Sequence, residues 1–318
     1  PSTVDSDGPV GLVNFFSGMV DVGQTATIYD VCSYASSCVT AATWNDELAY
    51  EEGISIGNEC LIGAENRDGR PYTGWYAPAV NLHRSPFSGR NSEYYSEDGL
   101  ISGNMAAAVV TGAKSKGVFT MVKHFAVNDQ ETHRSANGIA VWTTEQAMRE
   151  LYLKPFRIAV QDGESLGIMT SFNRLGITWA GGSYSLLTGV LREEWGFEGM
   201  VITDFNTDNT TYMNVDQMIR AGGDLDLAQD KEPSLVSKKG EDRLTPTQAT
   251  LIRQAVHNIL YVIANSNAMN GYGSDVSVSY GLAPWQQVNI YIDIVILLLL
   301  ALWGFIVIRK SRKEEKQA

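Results

Sequence analysis

The C-terminal segment constrains this chain more than any other feature, because one long apolar stretch runs directly into a cluster of basic residues. Positions 288 to 308 are apolar apart from Asn289 and Asp293 near the start, and Ile294–Ile308 holds only apolar residues and one Gly. A stretch of about 20 apolar residues crosses the hydrocarbon core of a bilayer. A buried helix of a globular domain is the alternative, but such a helix usually keeps a polar face. We therefore predict one transmembrane helix over residues 288–308.

The charge distribution predicts which side of the membrane each part occupies. Residues 309–318 carry five Lys/Arg and two Glu, a charge of +3, so the net charge of −12 leaves −12 − 3 = −15 for residues 1–308. Lys and Arg cluster on the cytoplasmic side of membrane spans. We expect a single-pass protein of the cell membrane, with a basic cytoplasmic tail over 309–318 and an acidic extracellular body.

The composition of the whole chain excludes several classes of protein. Hydrophobic residues at 44% and charged residues at 19% exclude a disordered chain and a polytopic membrane protein, and the acidic balance argues against a nucleic-acid partner. The three cysteines Cys32, Cys38 and Cys60 are too few for a disulfide-rich scaffold. A Cys32–Cys38 bridge and free thiols are both compatible with the sequence. No His lies at metal-ligand spacing from them, and we predict neither a metal nor an organic cofactor.

The body alternates short apolar runs with longer amphipathic stretches, which is typical of βα units and a parallel sheet. The predicted strands are 117–122, 167–171 and 199–203. The predicted helices are 46–59, 103–116, 144–161, 185–195, 214–221 and 245–264. Polar residues follow the predicted strands, with Lys123 and His124 after the first, Asn173 after the second and Asp204 after the third. Active sites of α/β barrels lie at the carboxyl ends of the strands, so we predict a (β/α)8 barrel of the TIM type.

The beginning of the chain predicts an incomplete first unit of that barrel. The turn Asp7-Gly8-Pro9 follows Pro1 almost at once, although a complete barrel would place a strand and a helix before it. We expect the chain to be the C-terminal part of a longer protein. The predicted layout is a barrel domain over 1–270, a Gly/Ser/Tyr-rich linker over 271–287, the transmembrane helix and the tail.

Three segments hold residue types that carry chemistry. Asp204 ends a buried apolar strand, where a carboxylate is costly unless it acts as a nucleophile, a metal ligand or a helix N-cap. The pair Lys123–His124 offers donors for hydroxyl groups or an anion, and a solvated charge pair is the alternative. The charged loop over 81–98 is interpretable either as part of a site or as a salt-bridged surface turn.

Taken together, several segments resemble those of glycoside hydrolase family 3. They occur in the family's order between about Asp5 and Leu227, and they are DGPVGL (7–12), AATWNDELA (41–49), NLHRSPFSGRNSEYYSED (81–98), KHFAVNDQETHR (123–134), MTSFNRLG (169–176), WGFEGMVITDF (195–205) and AGGDLDL (221–227). The resemblance implies a β-glucosidase-like enzyme that hydrolyses terminal, non-reducing β-linked sugars with retention of configuration.

The resemblance also implies a role for individual residues. Asp204 lies where the family has its catalytic nucleophile, and a retaining glycosidase needs such a carboxylate beneath the anomeric carbon. Asp7, Arg90, Lys123 and His124 match residues that bind the glycone, the sugar that is cleaved off. We expect Arg84, Glu93 and Arg134 to hold the loops that present those groups.

Two features depart from the family pattern. Many members carry Tyr at the position of Phe172, where a phenol can donate to the nucleophile. The second departure is the acid/base residue, which two-domain members take from a separate α/β sandwich domain. The single-domain N-acetylglucosaminidase branch takes it from a loop after KHFPGHG, whereas this chain has KHFAVNDQ. We therefore expect a member with inverted domain order, whose sandwich lies upstream of Pro1 or in a partner chain.

Two functions of different class follow. The first is hydrolysis of a β-glycoside or small oligosaccharide, with the acid/base supplied from outside this chain segment. The alternative is a membrane-anchored carbohydrate-binding or assembly module without turnover. A phosphate-using barrel has little support, because no Gly-rich phosphate loop is evident.

Overall fold

The computed structural model describes residues 3, 5–12, 32–62, 72–134, 138–207, 210–228, 244–270 and 284–314. By its internal contacts the chain divides into two units, Pro1–Asn270 and Gly271–Ala318. The strands within the described residues are β1 (Asp5–Asp7), β2 (Gly74–Tyr76), β3 (Phe119–Phe125), β4 (Ala140–Val141), β5 (Gly167–Thr170), β6 (Arg174–Leu175), β7 (Thr178–Trp179) and β8 (Met200–Ile202).

Within the described residues, helices lie before, between and after these strands in the sequence. The α-helices are α1 (Ser37–Ala42), α2 (Asp46–Ile62), α3 (Gly99–Lys114), α4 (Glu145–Ala147), α5 (Lys154–Gln161), α6 (Val215–Ala221), α7 (Pro246–Ala264) and α8 (Pro284–Glu314). Met148–Tyr152 and Ser185–Glu194 are π-helices. Short 3₁₀ turns lie at Asn91–Glu93, Ala180–Gly182 and Asn267–Met269.

Five strands form one parallel sheet in the order β1-β2-β3-β5-β8. Asp7 pairs with Tyr76, Gly74 with Phe119, and Gly167 with Met200. Bridges from Ile202 to Leu225 and from Asn206 to Ala228 extend the parallel pairing beyond β8. Because the strands are parallel and in chain order, their carboxyl ends meet at one edge of the sheet.

The three predicted strands are present with small differences in their bounds. β5 and β8 lie within 167–171 and 199–203, whereas β3 begins and ends later than predicted, at Phe119 and Phe125. Lys123 and His124 therefore belong to the strand itself. β1 and β2 were not predicted, because neither contains the β-branched residues that mark β3, β5 and β8.

The predicted helices are present, and their ends follow capping side chains. Thr245 accepts a hydrogen bond from the Gln248 amide in a capping box, and Thr144 accepts from the Ala147 amide. The stretch predicted as one helix over 144–161 is α4, a π-helix and α5 in succession. Asp98 starts α3 four residues before the predicted position, because its carboxylate accepts from the Leu100 and Ile101 amides.

Helices α2 and α3 pack closely through glycine. A Cβ on Gly53 would collide with the backbone oxygen of Val109, and a Cβ on Gly112 would collide with that of Tyr50. Because both positions are glycine, the two helix backbones approach more closely than a larger side chain would allow. This contact belongs to the main core, which also contains Trp75, Phe125 and Phe156.

The second unit contains one long apolar helix. Within α8, Gln286–Lys310 comprises 25 residues of mean hydropathy 2.7. Its large apolar side chains are exposed. By length and composition this helix can cross a membrane. The predicted linker lies outside the described residues as far as residue 283.

Candidate active site

Asp204 lies just beyond the end of β8, at the carboxyl edge of the sheet. Its residue surface is 8% exposed. Oδ1 accepts a hydrogen bond of 2.7 Å from the Phe205 amide, and Oδ2 accepts one of 3.2 Å from Nη1 of Arg134. The helix N-cap alternative for Asp204 is wrong, because the next described helix, α6, begins at Val215 and Asn214 caps it.

Asp7 and Lys123 form an ion pair across two strand ends. Nζ of Lys123 lies 2.6 Å from Oδ1 of Asp7, and the Lys123 side chain is only 2% exposed. Oδ1 also accepts from the Gly8 amide at 2.8 Å. Burial acts to raise the pKa of Asp7, but the charge and hydrogen bond of Lys123 outweigh it, so this pKa is lowered from its ordinary value. No hydrogen bond from the described part of the chain reaches Oδ2 of Asp7, and the side chain is 30% exposed.

His124 is a buried, neutral imidazole. Burial, followed by the positive charges of Arg90, Lys123 and Arg134, holds its pKa well below the ordinary value. Nη1 of Arg90 lies 3.1 Å from Nε2 of His124. Because a guanidinium can only donate, Nε2 is the acceptor and the ring proton is on Nδ1. Nε2 lies 3.7 Å from Oδ2 of Asp204, and because the ring is neutral this contact is not an ion pair.

An irregularity in β3 places both Lys123 and His124 in this cluster. Val122 pairs with Ile168 and Phe125 with Thr170, so two residues of β3 face the single residue Met169 of β5. Such a bulge redirects side chains that would otherwise alternate between the two faces of a sheet. Asn81 fixes the bulged backbone, since its amide oxygen accepts from the His124 amide at 2.8 Å and its amide nitrogen donates to the His124 carbonyl at 3.0 Å.

Arg90 is held by carboxylates from two loops. It makes a two-point contact with Glu93, at 2.7 Å from Nη2 and 3.0 Å from Nε, and its Nη1 lies 4.0 Å from Glu131. Burial opposes the charged form, but the hydrogen bond and charge of Glu93 raise the pKa of Arg90. Arg90 is thus a fixed cation, and Glu93 acts as the loop support that the sequence predicted.

Arg134 lies closer to the predicted nucleophile than the sequence indicated. Besides its contact with Asp204, its Nε pairs with Glu131, and its guanidinium carbon lies 4.5 Å from the centre of the Phe172 ring. Phe172 therefore contacts the cation that binds Asp204. Arg84, which received the same predicted role as Arg134, instead lies over the Tyr152 ring at 5.5 Å.

The structure thus brings all five predicted site residues together at the carboxyl edge of the sheet, where Lys123 pairs with Asp7 and a second group of contacts joins Arg90, His124 and Asp204. The links run from Asp7 to Lys123, from Arg90 to His124, and from Arg134 and His124 to Asp204. A separate open groove of about 630 Å³ lies between the two π-helices and is lined by none of the five. Together with Arg134, the cluster combines the buried carboxylate of Asp204, the partly exposed carboxylate of Asp7 and two guanidinium groups held by glutamates, which suits a polar, hydroxyl-rich ligand.

Comparisons with a family model and with curated proteins indicate the same family. Residues 5–260 match the family model described as "Glycosyl hydrolase family 3 N terminal domain". A beta-glucosidase of Ruminococcus albus is 32% identical over 91% of this chain and 29% of its own length. Beta-glucosidase A of Butyrivibrio fibrisolvens is 38% identical over 64% of this chain and 22% of its own length.

A solved structure supports the same grouping. Beta-glucosidase 3B from Thermotoga neapolitana, in complex with glycerol, aligns with a TM-score of 0.70 and 34% identity, over 86% of this chain and 37% of that one. The match confirms the predicted fold class, a TIM-type α/β barrel. The chain spans only 22% to 29% of the length of the two curated relatives.

Proposed function

The chain belongs to glycosyl hydrolase family 3, and from this premise we propose that it carries the glycone-binding and nucleophile-bearing part of a β-glucosidase-like hydrolase. The observation that carries the proposal is the network around Asp204. Its carboxylate is buried at the carboxyl edge of a parallel sheet and held by Arg134 at 3.2 Å. It is surrounded by side chains that can bind hydroxyl groups.

In this proposal Asp204 forms a covalent glycosyl-enzyme. An oxygen of Asp204 bonds to the anomeric carbon while the bond to the leaving group breaks, and the leaving group departs with the electron pair. Water then hydrolyses the ester, and two displacements at one carbon retain the configuration. Holding the carboxylate at two points before the reaction reduces the entropy lost in reaching the transition state.

The glycone contacts divide into two kinds. Asp7 and Arg90 keep exposed side-chain surface, 30% and 17%, whereas Lys123 and His124 are each 2% exposed. We assign Asp7 and Arg90 to direct contact with sugar hydroxyls. Lys123 and His124 lie behind them, and Lys123 fixes Asp7 as His124 fixes Arg90.

We further propose that the acid/base carboxyl comes from an α/β sandwich domain, upstream or in a partner chain. The support is the short span of the chain relative to its relatives, which are about three to five times longer than the part matched. An activated glycoside with a good leaving group needs no proton donor for the first step. Such a substrate therefore tests Asp204 independently of the acid/base residue.

The test is covalent labelling followed by intact-mass measurement. We expect the chain to gain one glycosyl unit from an activated 2-deoxy-2-fluoro-β-glucoside, with the added mass on Asp204. Asp204→Asn should not be labelled, and Asp216→Asn, which changes an exposed carboxylate on α6, should be labelled as the wild type is. Labelling of Asp204→Asn at the wild-type rate would exclude Asp204 as the nucleophile.

The alternative is a membrane-anchored carbohydrate-binding or assembly module, and the short span of the chain relative to its relatives favours it. Reversible binding of glucose, measured by calorimetry, together with no labelling at Asp204, would support this module. Absence of both binding and labelling would contradict both functions.

We also propose that α8 crosses the cell membrane once, with residues 1–270 outside and residues 309–318 inside. The apolar length of the helix and the Lys/Arg cluster after it support this orientation. Residues 271–287 would link the barrel to the span over 288–308. Protease added to sealed cells should digest the body and leave the tail protected, and release of the whole chain by alkaline washing would contradict the span.

A further inference from the structure

Asn289, Asp293 and Gly304, the single glycine of α8, lie on the same side of the helix. At about 100° per residue, Asn289, Asp293, Leu297, Leu300 and Gly304 fall within an arc of about 80°. We call this set the polar–glycine face. The other residues between Asn289 and Gly304, apart from Ala301, have large aliphatic or aromatic side chains.

The length of the apolar segment places Asp293 inside the hydrocarbon. The unbroken apolar part, Ile294–Ile308, is about 22 Å long at a rise of about 1.5 Å per residue. The hydrocarbon core is about 30 Å thick. With Arg309 at the inner boundary, Asp293 lies about 24 Å along the axis and therefore about 6 Å inside the outer boundary. Asn289 lies at that boundary.

A carboxyl group at this depth needs a partner. Ionisable residues within membrane spans face other protein groups or water-filled cavities, because lipid offers no hydrogen bonds. No hydrogen bond or ion pair from the described part of the chain reaches the side chain of Asn289 or Asp293, and both side chains are exposed. On the same face, a Cβ added to Gly304 would meet nothing within 4 Å, which leaves a notch for a closely packed second helix.

We propose that the polar–glycine face pairs with the same face of a second copy of this chain, an inference that rests on the proposed membrane span. Two copies enter the membrane in the same orientation, so each group meets its counterpart at the same depth. The groups are self-complementary, since the Asn289 amide both donates and accepts, two Asp293 carboxyls can share one proton, and Gly304 can contact Gly304. A different partner would need a complementary group at the depth of each of Asn289, Asp293 and Gly304.

The pairing is tested with the full chain by sedimentation equilibrium in density-matched detergent micelles. We expect a monomer–dimer equilibrium for the wild type. Asn289→Leu and Asp293→Leu should each raise the dissociation constant about 3- to 20-fold, the range measured for interhelical hydrogen bonds. Gly304→Leu, which fills the notch, should raise it by at least about 10-fold.

The matched controls lie on the opposite side of α8. Tyr291→Leu removes a polar group and Val295→Phe adds bulk, and both positions lie about 160° from the centre of the polar–glycine face. Both variants should stay within about twofold of the wild type. A chain that stays monomeric, or a dimer that the control variants weaken as much as the face variants do, would overturn the pairing. So would a complex that forms only with another protein.

Flotation of the same preparations with liposomes separates this inference from the proposal on which it rests. A chain that does not float would contradict the membrane span and the pairing together. A chain that floats but does not dimerise would contradict the pairing alone.

Discussion

At the scale of single residues, Arg134 and Arg84 differ in whether they contact the candidate active site. Both had the same predicted role, yet only Arg134 contacts Asp204, at 3.2 Å. Arg134 also lies over Phe172, so its position is fixed from two sides. Arg84 contacts the Tyr152 ring instead.

We predict that Arg134→Met lowers kcat/KM for an activated β-glucoside about 10- to 100-fold, because it removes a charged hydrogen bond to Asp204, the proposed nucleophile. Arg84→Met should stay within about threefold of the wild type. Steady-state kinetics, or the rate of covalent labelling if turnover is slow, provides the measurement. Equal losses in the two variants would show that the Arg134 contact has no special role.

The neutral state of His124 predicts a pH dependence of stability. Its pKa is lowered in the folded protein, so below about pH 6.5 the unfolded chain binds a proton that the folded chain does not. This contribution to stability is therefore lost as the pH falls. Asp5 and Asp224 act in the opposite direction, because burial raises the pKa of each to about 6.

Replacing His124 isolates its contribution. Between about pH 6.5 and about pH 5, His124→Gln should lose less unfolding free energy than the wild type, as measured by urea denaturation. His257→Gln, which changes an exposed histidine on α7, should follow the wild type. If His124→Gln also followed the wild type, His124 would take up a proton in the folded state.

At the scale of elements, the contact between α2 and α3 depends on Gly53 and Gly112. The sequence alone does not distinguish these two from other glycines within helices. Gly112 and Gly189 both lie within helices, but a Cβ on Gly112 would collide with the Tyr50 backbone, whereas one on Gly189 would meet nothing within 4 Å. Alanine is the better helix former at both positions. The two positions differ in how closely other atoms of the protein pack against them.

We therefore predict opposite effects for the same substitution. Gly112→Ala should destabilise the protein by about 1–3 kcal/mol, the usual cost of overpacking. Gly189→Ala should be neutral or stabilise it by up to about 1 kcal/mol. Thermal or urea unfolding measures both, and a stabilised Gly112→Ala would mean that the two helices can separate at little cost.

The same scale shows what the sequence could predict. α6 and α7 were predicted nearly to their ends because Asn214 and Thr245 are local capping signals. β1 and β2 were missed because neither contains a β-branched residue, whereas β8, which is equally short, lies in an apolar, β-branched run. The contact between Arg134 and Asp204 joins residues 70 positions apart, and no local pattern encodes such a distance. The resemblance to a family supplied the five site residues, while the structure supplied their contacts.

At the scale of the whole molecule, two units with different surroundings share one chain. Pro1–Asn270 buries an apolar core, whereas the large apolar side chains of α8 are exposed. The first unit therefore has the packed interior of a globular barrel, and the apolar surface of the second suits a lipid environment.

The ion pair between Lys123 and Asp7 has a consequence for the order in which the molecule assembles. It joins residues 116 positions apart, whereas α2 and α3 are neighbours in the chain. Contacts between distant residues form late, because closing a long loop costs entropy before any contact compensates it. During refolding, far-UV circular dichroism should therefore recover before Asp204 can be labelled. Simultaneous recovery of the two signals would contradict this order, and a newly made chain should gain its helices before it can hold a sugar.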